Sequence, residues 1–233
     1  MFRLNASDLK FMALASMAVA HFSIVVAEHL PWGVAPLFEV FGVTVTASWL
    51  MAMLPRCAGM VFVAFLIGEG LRHTRNRWLY CIRLLLLAVL SEIPFRLAFG
   101  GSLEPASAGA NTMFAMAAGA LLVTIGESES SSWFLKALLF TGIIAVAWLL
   151  NVNGGLVLVG AVVAIYLASS RPYLAAPLWM TYPWGVFYLP AFALLSCYDG
   201  TRGRVAIGAG KWLFYVFYPL HLMILWGIAK AVL

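Results

Sequence analysis

The chain has 233 residues, of which 64% are apolar and only 10% charged, and its mean hydropathy is +0.98. A soluble domain carries about 25% charged residues, so this composition excludes one and points to a polytopic membrane protein with room for roughly nine or ten spans of about 20 residues. The formal charge of +5, from 14 Lys+Arg against 9 Asp+Glu, reports topology in such a chain before it reports a partner, and argues against nucleic-acid binding. Cys57, Cys81 and Cys197 are far apart, with no CxxC and no regular Cys/His spacing, so neither a disulfide framework nor a metal site is expected.

Arg3 and Lys10 precede an apolar run whose Ala18-Val19-Ala20 has the small-x-small pattern of a signal-peptidase site. The apolar character continues from Phe22 to Ala27, so 9–30 is predicted to be an uncleaved first span. Val34 to Leu54 is nearly long enough for another, but Glu39, Thr44, Thr46 and Ser48 make it more polar; it is predicted to be a re-entrant hairpin or an interfacial amphipathic helix on the outer face. Further spans follow at 57–71, 78–99, 111–126, 133–150 and 155–169. A stretch broken by Pro177, Pro183 and Pro190 supplies 173–187 and 188–199, and 211–229 is the last. Ser128, Ser130, Ser131 and Ser132 read as a solvated loop and helix cap. The expectation is an all-α, polytopic protein of about nine transmembrane helices plus one re-entrant or interfacial segment, forming a single domain over 1–233.

Charge sets the direction. With the N-terminus cytoplasmic, eleven cations fall inside: Arg3, Lys10, Arg72, Arg75, Arg77, Arg83, Lys136, Arg171, Arg202, Arg204 and Lys211. Only Arg56, Arg96 and Lys230 fall outside, a strong positive-inside asymmetry.

Ionisable residues at membrane depth are costly and so mark sites. His21 lies 11 residues beyond Lys10, His221 ten beyond Lys211 and Glu92 twelve beyond Tyr80. At ~1.5 Å per residue these are depths of about 15–18 Å, one level near the midplane if all three helices run outward. Two imidazoles and a carboxylate there make a proton-handling site in which Glu92 orients an imidazole. Glu92 and Arg96, four apart, equally make a structural ion pair, and Glu69 is placed to pair with Arg72 or Arg83. His29, at the outer boundary beside Glu28, is given no specific role. The run Arg72, His73, Arg75, Arg77 and Arg83 is the densest cationic cluster. It either anchors an inner loop or chelates phosphates, with Arg202, Arg204 and Lys211 as a second arc beside Gly200, Gly203, Gly208 and Gly210. No GxxxxGK[ST] is present, which argues against an ATP-hydrolysing P-loop.

Several segments carry a resemblance: Leu9-Lys10 leading to His21, the Pro55-Arg56 to Gly70 helix, RHTRNRWLYCIRLLLLAVLSEIPF (Arg72 to Phe95), ANTMFAMAAG (Ala110 to Gly119) and FYVFYPLHLMIL (Phe214 to Leu225). In these the chain resembles the TraX family, polytopic inner-membrane acetylases of conjugative pilin. The resemblance implies transfer of an acetyl group from cytoplasmic acetyl-CoA to the N-terminal amine of processed pilin, with no metal. It also implies a bacterial inner-membrane location with a cytoplasmic N-terminus. His21 matches the catalytic first-helix histidine, His221 the C-terminal histidine, and Arg72 and His73 the basic loop. Arg72, His73, Arg75, Arg77 and Arg83 would receive the CoA phosphates, and His221 or Asn111 would polarise the thioester carbonyl. The chain departs from the family in having Ala20 where an Asp often precedes the first-helix histidine, which leaves Glu92 as the candidate orienting carboxylate. The Val34 to Leu54 insertion is also longer than usual. A proton-coupled transporter using the same three groups, and O-acetylation of an envelope glycan, remain the alternatives.

Overall fold

The computed structural model describes residues 3–40, 42–100, 109–129, 131–168, 171–181, 184–203 and 212–232. Helix α1 (Ala6–Val25) starts on a reciprocal cap. Asn5 Oδ1 accepts from the N–H groups of Ser7 (2.8 Å) and Asp8 (3.1 Å), and Asp8 Oδ2 accepts from Asn5 N–H (2.9 Å). A 3-10 turn at Ala27–His29 and the four-residue α2 (Pro31–Val34) close its far end. Gly33 is obligatory there, because a Cβ would strike the carbonyl of Ala27.

The segment expected to be a re-entrant hairpin or an interfacial helix is neither of these throughout. Strands β1 (Pro36–Val40) and β2 (Val43–Thr46) form an antiparallel hairpin pairing Phe38 with Val45, Glu39 with Thr44 and Val40 with Val43. Val40, Val43, Thr44, Val45 and Thr46 are β-branched and favour the extended chain, and Gly42 takes the positive φ of +75° in the turn. Thr46 Oγ1 then accepts from Trp49 N–H (3.1 Å) and so caps α3 (Ala47–His73). This helix of 27 residues begins ten residues before the expected start at 57. Hydropathy registers the apolarity of both parts but not the switch in period between them.

Helix α4 (Arg77–Gly100) follows, with Asn76 Oδ1 accepting from Leu79 N–H (2.9 Å). Then come α5 (Thr112–Gly126), capped by Asn111, and α6 (Trp133–Leu149), capped by Ser132; α7 (Gly155–Leu167) is entered through left-handed Gly154. The proline-rich stretch is broken into 3-10 turns at Pro172–Ala175 and Gly185–Tyr188 and the short α8 (Ala176–Met180) and α9 (Leu189–Leu195). Helix α10 (Leu213–Val232) ends the chain. Apart from the hairpin the regular structure of the described residues is helical. Among the described residues four helices are long and apolar enough to cross a bilayer: Ala6–His29, Ala47–His73, Arg77–Gly100 and Tyr215–Val232. Thr112–Gly126, Trp133–Leu149, Gly155–Leu167 and Gly185–Leu195 are apolar but shorter. The protein is thus a multi-pass membrane protein, with four full-length candidate spans where the sequence predicts about nine.

Two compact units divide the chain. The first comprises Met1–Val63, Ile93–Glu104 and Phe187–Leu233; the second comprises Ala64–Glu92 and Pro105–Val186. In the first, α1 and α10 run parallel. Leu4 bridges Tyr198 and its N–H donates to Cys197 O (2.9 Å) at one end. Val25 and Val26 pack on Leu225, with Phe99 and Ala229 alongside, at the other. Helix α3 runs antiparallel to α1: Gly59 lies against Ser16 and Met17, and Ser23 Oγ donates to Ser48 O (2.5 Å). In the second unit α5 is the core. Gly119 there has no room for a Cβ against Val162 of α7, whereas α6 buries Ala147 alone.

Candidate functional site

His21 stands in the last turn and a half of α1, four residues before Val25. Its Nδ1 lies 2.8 Å from His221 Nε2, and the two rings stack with their planes 9° apart. The side chain of His221 folds back toward the N-terminus of α10, as helical side chains do, and its Nδ1 lies 2.8 Å from the carbonyl of Phe217. A carbonyl only accepts, so His221 Nδ1 carries the hydrogen and His221 Nε2 is the acceptor in the neutral ring. His21 Nδ1 must then donate, which leaves the lone pair on His21 Nε2. Around the pair the walls are aromatic: Phe99 meets His21 edge-on at 5.3 Å, and Phe217 stacks on His221 at 4.6 Å. His221 is only 7% exposed. At ~1.5 Å per residue the site lies about 6 Å along α1 from Val25 but about 22 Å from Ala6. It therefore sits toward the hairpin end of that helix.

Glu92 and Asn111 come together in the second unit. Glu92 Oε2 accepts from Asn111 N–H (3.0 Å) and from Asn111 Nδ2 (2.8 Å). The same amide donates to Ala88 O (2.8 Å), while Asn111 Oδ1 accepts from Met113 N–H (3.0 Å). The clamp ties the start of α5 to α4.

The basic cluster divides. Arg72 Nη1 is 2.7 Å from Glu69 Oε1, its Nη2 donates to the carbonyl of Tyr166, and its guanidinium lies 4.8 Å above the Tyr166 ring. His73 Nε2 is 3.5 Å from Glu69 Oε2. Of the two partners open to Glu69 in the sequence, Arg72 is the one observed. Arg77 pairs with Glu127 Oε2 at 3.0 Å and donates to Leu71 O at 3.2 Å. Arg75 and Arg83 are exposed. Of the second arc, Arg204, Gly208, Gly210 and Lys211 lie outside the described residues. Arg202 offers its carbonyl to Ser7 Oγ (3.1 Å), and nearby Asp199 accepts from Thr201 Oγ1 (2.6 Å) and Thr201 N–H (2.9 Å), which holds its carboxyl below the usual range. Among the described residues no group of three His, Cys, Asp or Glu is placed to hold a metal ion.

Arg56, counted in the sequence among the outward cations and standing at the start of the Pro55-Arg56 to Gly70 segment, was given no role there. It is half-buried, is the one charged side chain between Ala47 and Gly68, and lies within electrostatic reach of His21. With α3 taken to begin at 57, Arg56 falls at a boundary; with the true start at Ala47 it falls well inside an apolar helix. A helix start read from Thr46 would have exposed it.

No curated protein and no solved structure matches the chain. A family model described as TraX protein matches residues 5–229, nearly its whole length, and takes in both histidines, their helices and the clamp; the chain belongs to the TraX family.

Proposed function

We propose that this protein is an acetyltransferase of the bacterial inner membrane, moving an acetyl group from cytoplasmic acetyl-CoA to the N-terminal amine of conjugative pilin, with His21 as general base. Membership of the TraX family, associated with pilin processing or acetylation, supports the reaction class. The observation that carries the assignment is the relay from Phe217 O through His221 to His21.

In that relay His221 does for His21 what a carboxylate does in a hydrolase triad: it fixes the tautomer and accepts the Nδ1 hydrogen bond. His21 Nε2 takes a proton from the incoming amine as nitrogen attacks the thioester carbonyl. It returns that proton to the departing thiolate when the C–S bond breaks. Glu92, proposed from the sequence as the orienting carboxylate, is assigned to support instead: its Oε2 serves Asn111, so the pair sets the start of α5.

For the donor, the phosphates of acetyl-CoA are assigned to the 72–83 joint. Arg72, His73 and Arg77 already face Glu69 or Glu127, so Arg75 and Arg83 carry most of the phosphate contact. The eleven-to-three distribution of cations supports a cytoplasmic side for this joint and the N-terminus. Intact-mass analysis of pilin co-expressed with the wild-type protein or with His21→Gln tests the proposal: acetylated pilin is expected with the first and unmodified pilin with the second. Acetylation undiminished by His21→Gln removes His21 from the base role.

A further inference from the structure

Attack of an amine on a thioester puts negative charge on the carbonyl oxygen, and a fixed positive group aimed there in a low-dielectric site contributes most to the rate. The histidine relay supplies the base but no such group. Arg56 stands where one is needed.

Helices α1 and α3 are antiparallel and pack closely at Gly59, whose Cβ, if present, would lie 3.3 Å from Ser16 Cβ and 3.7 Å from Met17 Cγ. One turn from that contact toward the hairpin stand His21, four residues after Met17 on α1, and Arg56, three residues before Gly59 on α3. Residues three or four apart share a helix face, so both lie on the sides that face each other. Measured from the contact, His21 is about 6 Å along and Arg56 about 4.5 Å, a difference in level of about 1.5 Å that an arginine side chain spans easily. Arg56 thus lies within electrostatic reach of the His21 ring. An arginine in an apolar span is expensive to keep, which marks a functional position. Its guanidinium never loses its proton in a protein, so it holds its charge through the reaction while His21 gains and loses one.

We infer that Arg56 is a catalytic residue whose guanidinium hydrogen-bonds the acetyl carbonyl oxygen and stabilises the oxyanion formed when the acceptor amine attacks. The inference rests on the acetyl-transfer reading. The N–C bond forms as the carbonyl π pair moves onto oxygen beside Arg56, and the amine proton goes to His21 Nε2. The pair then returns to re-form C=O, the C–S bond breaks, and the thiolate takes the proton from His21.

The test uses full-length protein in lipid nanodiscs, with acetyl-CoA and a synthetic peptide bearing the pilin N-terminus, and follows the acetylated peptide by mass spectrometry over a range of pH. Arg56→Gln is expected to lower the plateau kcat by about 10²–10³-fold, the loss typical of one oxyanion donor, with KM for acetyl-CoA within about twofold. A plateau kcat equal to wild type, with only the acid limb of the pH profile displaced, would mean that Arg56 acts through His21 and would overturn the inference. So would a change confined to KM. If Arg56→Gln is not recovered folded, Arg56→Lys decides: it keeps the charge but not the fork, so a lower kcat at unchanged KM supports the inference and unchanged kcat with a displaced acid limb overturns it. Absence of turnover by the wild-type protein would instead remove the acetyl-transfer reading itself.

Discussion

The His21–His221 pair and the Glu92–Asn111 clamp are both polar constellations on apolar helices, yet they end differently. In the clamp every polar atom of the Asn111 side chain is used: Nδ2 donates to Glu92 and Ala88, and Oδ1 accepts from Met113. A buried network closed in this way stiffens the fold, because each group would otherwise lack a partner in a medium without water. The histidine chain starts from a similar anchor, the Phe217 carbonyl, but runs outward through two imidazoles to a lone pair on His21 Nε2. A closed network holds structure; an open-ended one offers a site where a proton can be placed. Burial and polarity alone do not distinguish the two.

Breaking the open end is expected to have the largest effect. His21→Gln keeps hydrogen-bonding capacity but cannot take up a proton at neutral pH, so acetyl transfer should fall by about 10²–10⁴-fold with the thermal unfolding midpoint nearly unchanged, as measured by turnover and by scanning fluorimetry on the same sample. Removing the inner member costs less. His221→Phe keeps the stacking shape but withdraws the acceptor for His21 Nδ1, and kcat should fall by about 10- to 100-fold, the equivalent of a buried hydrogen bond worth ~1.5–3 kcal/mol.

The clamp should behave in the opposite way. Asn111→Ala removes the cap of α5 and takes from Glu92 Oε2 its side-chain donor while the backbone N–H of residue 111 remains, so the expected loss is ~1–3 kcal/mol of stability with little change in the turnover of protein that remains folded. A large loss of turnover at unchanged stability would instead move Glu92 and Asn111 into the site and erase the contrast. The smallest effects are expected at the 72–83 joint. Charge reversal at Arg75 and Arg83 together should raise KM for acetyl-CoA several-fold at low salt, and less at high salt as exposed charges are screened, while kcat holds. Arg77→Ala breaks a partly exposed pair with Glu127 and should cost no more than ~1 kcal/mol in stability, with KM little affected.

Periodicity and depth arithmetic were enough to single out His21 and His221 and to predict a common level for them, because a helix converts residue number into height directly. Height says nothing about azimuth, which is set by packing. Glu92 is therefore assigned a depth by the same arithmetic, but the hydrogen bonds it makes to Asn111, 19 residues away along the chain, are visible only once α4 and α5 are placed. The charges of the 72–83 joint were legible as a cluster, whereas their division into paired Arg72 and Arg77 and exposed Arg75 and Arg83 depends on where Glu69, Glu127 and Tyr166 come to rest. Arg56 was hidden by a boundary error that began ten residues earlier, in the switch from β2 to α3.

By itself the sequence determined the solvent of this protein, which follows from composition, and the breaking of the stretch from Pro172 to Leu195 into short turns and helices, which follows from its prolines. It also carried the family. Only the tertiary structure decided that the two histidines touch through Nδ1 and Nε2, that a backbone carbonyl sets their tautomers, and that Gly59, three residues from Arg56, lies against Ser16 and Met17 of α1. Those outcomes depend on helix rotation and on the small side chains that let α1 and α3 approach, and residues 200 positions apart become neighbours only when the helices that carry them are packed.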